Sequence, residues 1–182
     1  ALHKSEWGDM SYRITGKDSG GALTIEGGWQ NNRPSAMHAR YRFVENIFEE
    51  LDTVNEWYFD KLRHTLYDYP PEKINLAAAR IETPQLETLF EFNGDTAQPV
   101  AYIGIEGLEL TQTLRTFMKN KEPLLRSDWT IYRAGAVTMS GTEYCAIKDC
   151  FFITVGGNAM VFSNFNRYSE ISGCHIAGAG SS

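Results

Sequence analysis

The sequence predicts an all-β protein, a right-handed parallel β-helix that carries a small helix-plus-antiparallel insert. The main observation is a repeat. Residues 144–152 align with residues 168–176 at an offset of 24 (168 − 144), and residues 136–140 align with residues 159–163 at an offset of 23 (159 − 136). Each copy holds short apolar runs broken by Gly, Asn or Ser, which indicates short strands joined by turns. Constant spacing within strands and slack in turns is typical of a solenoid.

The register of this repeat separates inward from outward side chains. Equivalent residues of successive coils should lie about 4.8 Å apart, as paired strands do. The expected inward pairs are all apolar or Cys, as a dry core requires: Ile147 with Ile171, Cys150 with Cys174, Phe152 with Ile176, Val137 with Met160, and Met139 with Phe162. A third copy over residues 104–110 places Ile105, Leu108 and Leu110 inward. The alternative is an ordinary β-sandwich whose strands resemble one another by chance.

Three regions follow from these patterns. We expect residues 1–39 to form N-terminal strands and loops of the β-helix, residues 40–98 to form the insert, and residues 99–182 to form the parallel coils. The repeat stops within a turn at its last residues, which predicts a piece of a longer chain. We therefore expect the remainder of the same β-helix protein as a partner, because an open coil end exposes unpaired backbone.

The insert is predicted from two local patterns. Residues 42–52 place Val44, Ile47, Phe48 and Leu51 at helical spacing, which predicts an amphipathic helix. Residues 56–60 and 65–69 flank a four-residue loop and predict a β-hairpin, and residues 77–81 and 86–92 are predicted as further strands.

Composition excludes several function classes. The net charge is −6, from 17 basic and 23 acidic residues, and the basic residues form no strong cluster, so nucleic acid is not expected as a partner. No apolar run approaches the length of a membrane span. The three cysteines fit reduced core residues, with a Cys150–Cys174 disulfide as the alternative. His175 has no Cys or His at ligand spacing, so neither a metal nor a cofactor is expected.

Seven residues are candidates for contact with a sugar. Aromatic rings stack on sugar faces, and amides, imidazoles and guanidinium groups bond to hydroxyls. The candidates are His3, Trp7, Trp29, Asn158, Asn166, Arg167 and His175. Structural alternatives exist for most of them: a capped edge for His3 and Trp7, a plain turn for Trp29, an inward amide stack for Asn158, and an outward structural imidazole for His175.

Several motifs also carry a resemblance. These are WGD (7–9), GGWQNNRP (27–34), FVENIFEELD (43–52), EWY (56–58), LYDYPP (66–71), GGNA (156–159), NR (166–167) and GCHI (173–176). With them the chain resembles bacterial right-handed parallel β-helix proteins similar to glycoside hydrolase family 141. The resemblance implies a secreted or periplasmic protein that cleaves plant-type polysaccharides or fucosides with paired carboxylates, and it identifies no catalytic residue in this chain.

Two other functions stay open beside glycoside hydrolysis. A polysaccharide lyase neutralises a uronate carboxylate and then abstracts a proton. The chain lacks an Asp cluster for calcium, although the segment 111–129 is locally basic and would suit an acidic sugar. The third possibility is a non-catalytic glycan-binding β-helix. In each case the expected partner is an oligo- or polysaccharide.

Overall fold

The computed structural model describes residues 1, 3–6, 10–30, 33–34, 36–116, 118–119 and 132–180. Within these residues the chain is all-β, as predicted, with two three-residue 3-10 turns at Phe48–Glu50 and Leu76–Ala78. The strands are β1 (Tyr12–Lys17), β2 (Leu23–Gly27), β3 (Trp29–Gln30), β4 (Arg33–Pro34), β5 (Trp57–Asp60), β6 (Thr65–Asp68), β7 (Phe90–Asn93), β8 (Val100–Ala101), β9 (Gly104–Glu106), β10 (Glu109–Thr111), β11 (Gly135–Glu143), β12 (Ala146–Lys148), β13 (Phe151–Ile153), β14 (Asn158–Arg167), β15 (Glu170–Ser172) and β16 (His175–Ala177).

Two compact units make up the chain, one formed by residues 1–38 with 83–182 and the other by residues 39–82. In the larger unit, β1 and β2 pair antiparallel, and β7 to β16 form three parallel sheets. The sheet orders are β7–β11–β14, β9–β12–β15 and β10–β13–β16, and β8 also pairs with β11. Three successive segments, 90–111, 135–153 and 158–177, therefore each supply strands to all three sheets.

The register predicted from the repeat is observed. Ile147 lies between Ile105 and Ile171, and Phe152 lies between Leu110 and Ile176. On β11, Val137 pairs with Met160 and Met139 pairs with Phe162. Cys150 and Cys174 are free thiols, and the Cys150 Sγ donates to the Lys148 carbonyl oxygen at 3.1 Å. These cysteines therefore act as small core residues, as the reduced interpretation expected.

Left-handed residues turn the chain from one sheet to the next. At each of three corners the same position of all three segments has φ between 49° and 68°. The corner sets are Tyr102, Tyr144 and Tyr168; Gly107, Asp149 and Gly173; and Gln112, Thr154 and Gly178. A single αL residue ends one strand and redirects the backbone, and Gly and Asp tolerate that conformation better than most residues. The corners thus repeat at the same offsets as the strands.

Burial of the inward side chains differs between the first and the third of these segments. Inward side chains of the middle segment are fully buried, with Ile147 and Phe152 both at 0% exposure. In the first segment Ile105 is 5% exposed, whereas its third-segment counterpart Ile171 is 48% exposed. The first and third segments each supply one terminal strand of every parallel sheet, and the middle segment lies between them. The inward face of the third segment is thus half-open to solvent, whereas Phe92, Ile105 and Leu110 of the first segment are buried. Leu108, which the repeat predicts to face inward, is instead 41% exposed.

The smaller unit contains the predicted hairpin, β5 and β6, joined by a four-residue turn. The helix predicted over residues 42–52 is wrong, since only the 3-10 turn at Phe48–Glu50 forms there. Asn46 has φ 61° and bonds through its amide to both backbone groups of Phe59, at 3.0 and 3.4 Å, which fixes this segment against β5. Of the apolar residues at helical spacing, Phe48 packs its ring edge-on against Tyr58 and Tyr67.

Two further local predictions also differ from the structure. The strand predicted over residues 77–81 is replaced by the 3-10 turn at Leu76–Ala78, where the Asn75 side chain accepts a hydrogen bond from the Ala77 N–H. The strand predicted over residues 86–92 is β7, which pairs parallel to β11 within the larger unit. No helix in the described part of the chain is long and apolar enough to cross a membrane.

Candidate functional site

A cleft of about 300 Å³ lies on the sheet β7–β11–β14. Side chains alternate along a strand, so burial of Phe92 and Met139 in the core sends their neighbours to the opposite face. Two rows of paired residues result, Glu91–Thr138–Val161 and Asn93–Ser140–Ser163. The lining is completed by Thr88, Phe92, Arg133, Ala134 and Met139.

Hydrogen bonds hold part of this polar lining in place. The Asn164 Nδ2 donates to the Ser140 Oγ at 2.7 Å, and the Arg133 Nη1 donates to the Ser163 Oγ at 3.4 Å. The cleft thus combines one carboxylate, one guanidinium group, one amide and several hydroxyls with a few apolar lining residues. Such a set can donate to and accept from a ligand that carries many hydroxyl groups.

Three titratable side chains outside the cleft lining contact one another, and we call Glu87, Lys119 and Tyr132 the Glu87 cluster. The Tyr132 hydroxyl donates to the Glu87 Oε2 at 2.5 Å, and the Lys119 ammonium forms a hydrogen-bonded ion pair with the Glu87 Oε1. All three residues are half-buried. Glu87 directly precedes Thr88 and Tyr132 directly precedes Arg133, so both residues are joined covalently to cleft-lining positions.

The hydrogen bond to Glu87 is also the main electrostatic influence on Tyr132. It raises the pKa of the Tyr132 phenol, and burial and the charge of Glu87 act in the same direction. A phenol whose pKa is raised stays protonated near neutral pH and keeps donating. The cluster can therefore hold an oriented, ionised carboxylate, because both of its neighbours stabilise negative charge.

Two of the predicted sugar-contacting residues bridge segments of the fold. The Asn158 Nδ2 donates to the carbonyl oxygens of Tyr132 and Ala134, both at 2.9 Å, which fixes the backbone entering β11. Asn166 accepts from the Thr142 Oγ1 at 2.7 Å and donates to the Ser163 carbonyl oxygen at 2.9 Å. Asn158 begins β14 and Asn166 lies near its end, roughly 25 Å away at the usual rise per residue.

Arg167, His175 and His3 lie in three different surroundings. Arg167 pairs with Glu143 at 3.3 Å and stacks over the Phe165 ring. His175 is exposed on β16, which belongs to a different sheet from the cleft, and its ring lies 6.1 Å from that of Phe151. His3 is buried, forms a bridge with Met37, and accepts from the Ser5 N–H at its Nδ1.

The side chains of the two predicted tryptophans lie outside what the structure describes. Trp7 lies outside the described residues, and for Trp29 the structure describes only the backbone, which pairs with Pro34 in β3 and β4. Of the five candidates whose side chains are described, none lines the cleft. The structure therefore does not gather the sequence-predicted residues into one site.

The sequence patterns do not point to the cleft residues, because they place residues 86–92 in the insert. A signal for them exists in the sequence, since FEFN at 90–93 aligns with VTMS at 137–140 and shares its alternation. That alignment places Glu91 and Asn93 beside Thr138 and Ser140. No comparable signal marks the Glu87 cluster, whose members come together only through tertiary packing across 32 and 45 residues.

No protein-family model, curated protein or solved structure matches this chain. The part of the chain that the structure describes also holds no group of three His, Cys, Asp or Glu side chains placed to bind a metal ion. The cleft and the Glu87 cluster are therefore the features of the structure that bear on its function.

Proposed function

We propose that this chain belongs to a carbohydrate-active protein built on a right-handed parallel β-helix. Support for the β-helix comes from three parallel sheets that each receive strands from three successive segments, and from corners that repeat in register. The handedness follows from the general rule that parallel crossover connections are right-handed. The resemblance to glycoside hydrolase family 141 agrees with this proposal.

The observation that carries the function is the composition of the cleft. Glu91 and Asn93 stand in register with Thr138 and Ser140, and Arg133 extends the same surface. A glycan offers closely spaced hydroxyls that need both donors and acceptors, and unmatched polar groups in a site disfavour other ligands. The proposed ligand is an oligo- or polysaccharide of the plant type.

Glycoside hydrolysis is the activity that we propose for this site. Hydrolases of this kind use two carboxyl groups flanking the scissile bond. Glu91 lines the cleft and is the carboxyl group that we propose for one of these two roles. A polysaccharide lyase is the second candidate, because Arg133 lines the cleft and would neutralise a uronate carboxylate.

The exposed inward residues of the third segment support one of the expected partners. Ile171 and Ile176 point inward in register with core residues, yet they are 48% and 49% exposed. Burying such residues is favourable at about 25 cal/mol per Å² of apolar surface. We propose that a further coil of the same β-helix protein covers them. A secreted or periplasmic location is proposed with the family resemblance.

Binding and product analysis test this function together. Oligosaccharides from xylan, fucosylated glycans and pectin are titrated into the protein by calorimetry, and Glu91→Ala is compared with the matched change Glu109→Ala on β10, in another sheet. We expect Glu91→Ala to weaken binding about tenfold and Glu109→Ala to leave it unchanged. New reducing ends without unsaturation support hydrolysis, and an unsaturated uronate supports the lyase. No binding to any of these glycans would refute the proposal.

A further inference from the structure

We propose that the end of the cleft nearest β14 is a carboxylate-binding subsite, formed by Ser140, Ser163 and Arg133, that selects glycans containing uronic acid. This inference rests on the function proposed above and deepens it by naming the class of sugar. It holds for hydrolysis and for elimination alike, because it concerns the binding of the substrate and not the cleavage step. All three residues line the cleft.

The hydrogen bonds of the two serines determine what their hydroxyl groups offer to a ligand. The Ser140 Oγ accepts from the Asn164 Nδ2 at 2.7 Å, and the Ser163 Oγ accepts from the Arg133 Nη1 at 3.4 Å. A serine hydroxyl has one proton to donate besides the lone pairs that accept. Neither proton has an acceptor in the part of the chain that the structure describes. Both hydroxyls are therefore donors for a ligand in the cleft.

The spacing of these donors suits a carboxylate. Ser140 and Ser163 are register partners on β11 and β14 and both line the cleft, so their backbones lie about 4.8 Å apart. A carboxylate has two acceptor oxygens and can take one hydrogen bond from each hydroxyl. The Arg133 guanidinium group, which contacts Ser163, adds a charge-assisted hydrogen bond to the same ligand. Such bonds are roughly twice as strong as neutral ones, which favours a carboxylate over a sugar hydroxyl here.

The negative charge of Glu91 lies at the opposite corner of the cleft. Glu91 is two strands and two residues away from Ser163, which corresponds to about 12 Å between Cα atoms at the usual strand spacing and rise. The Debye length at physiological ionic strength is about 8 Å, so Glu91 repels a carboxylate beside Ser163 only weakly. The second acidic residue of this sheet, Glu143, pairs with Arg167 at 3.3 Å. An acidic glycan is thus oriented with its carboxylate toward β14.

A pair of matched ligands tests the subsite. Oligogalacturonate and its methyl ester share one backbone and differ in charge, so calorimetric titration of both isolates the contribution of the carboxylate. We expect the wild type to bind the acid about tenfold more tightly than the ester. This preference should shrink as salt is added, because part of it is electrostatic.

Substitutions in the subsite should remove the preference and keep the fold. Ser140→Ala and Ser163→Ala each delete one donor, and Arg133→Gln deletes the charge. We expect each variant to bind oligogalacturonate about threefold or more weakly and to bind the ester as the wild type does, with little change in melting temperature. Ser172→Ala is the matched control, because Ser172 lies on β15 in another sheet, and its preference should equal that of the wild type.

The outcomes separate the subsite from the proposed function. Equal affinity of the wild type for acid and ester, or binding of neutral glycans alone, would overturn the subsite and leave the proposed function in place. A preference that survives in all three variants would also overturn it. A sulfated oligosaccharide that binds more tightly than oligogalacturonate would overturn the assignment to a carboxylate. Binding of no glycan at all would instead remove the proposed function.

Discussion

The rings of Tyr144 and Tyr168 stack face to face, with centroids 4.6 Å apart and planes inclined by 15°. Tyr102 continues the stack on the other side of Tyr144, at 5.1 Å and 2°. All three residues have positive φ, so each ring stands at a corner where the chain leaves one sheet for the next. The stack spacing reproduces the distance between paired strands, which ties this surface feature to the register of the core.

Tyr144 is expected to stabilise the corner through its ring. Tyr144→Ala removes two stacking contacts and leaves a strained backbone, and we expect it to lower the free energy of unfolding by about 1–2 kcal/mol. Tyr144→Gly removes the same contacts but relieves the positive φ of 52°, so its loss should be smaller. Chemical denaturation of both variants checks the order. A larger loss for Gly than for Ala would show that the positive φ of Tyr144 is not strained.

The buried isoleucine stack should respond according to position. Ile147 is fully buried between Ile105 and Ile171, so we expect Ile147→Ala to cost about 2–5 kcal/mol. Ile171→Ala is the matched control, because Ile171 is 48% exposed and should cost about half as much. Equal losses of unfolding free energy for the two variants in denaturant titrations would show that Ile171 is as buried as Ile147. Ile147→Asp should cost more than either, since it buries an unpaired carboxylate.

Asn46 should be required for the smaller unit. Asn46→Ala loses both bonds to the Phe59 backbone and places a less tolerant residue at φ 61°, so we expect a loss of about 2 kcal/mol. Asn46→Gly keeps the backbone conformation and loses only the amide bonds. Hydrogen exchange at the Phe59 N–H measures the effect locally. Unchanged protection in both variants would contradict the proposed bracing.

The Lys148–Glu170 pair predicts a pH dependence with two limbs. Hydrogen bonds from Lys148 and then Ser172 lower the pKa of the Glu170 carboxyl from its usual value of 4.5. The stability that the ionised Glu170 contributes to the fold is therefore present above pH 4.5 and is lost as pH falls through the lowered pKa. The pKa of Lys148 is raised, chiefly by its hydrogen bond to Glu170. The stability that the charged Lys148 contributes is therefore lost as pH rises through the raised pKa.

Titration by NMR checks these directions. Glu170→Gln should return the pKa of Lys148 toward its usual value of 10.5 and flatten the acidic limb of the melting temperature. Both side chains are exposed, so the change in melting temperature should be small. A Lys148 pKa that does not move in Glu170→Gln would show that the pair is absent in solution.

The sequence alone predicted the core better than the surface. Alternation with period two determines which side chains face inward, and the 24-residue offset was enough to pair Ile147 with Ile171 and Phe152 with Ile176. The helix over residues 42–52 failed because helical spacing of Val44 and Phe48 says nothing about Asn46, whose left-handed backbone and amide bonds override it.

The candidate site was harder to predict for a related reason. Glu91 and Asn93 belong to the same alternating pattern, but an irregular offset separates β7 from β11 and concealed the match. Glu87, Lys119 and Tyr132 lie outside any strand, so no periodicity places them together. Predicted contacts such as Asn166 were polar and at turns, yet their hydrogen bonds are made within the fold.

A structure of the chain with a bound oligosaccharide would show whether the cleft on β7, β11 and β14 binds a glycan. We expect the sugar on the face formed by β7, β11 and β14, with hydroxyls bonded to Glu91, Asn93 and Arg133 and a glycosidic oxygen facing Glu91. A sugar bound instead beside His175 on β16, with the cleft unaltered, would contradict it.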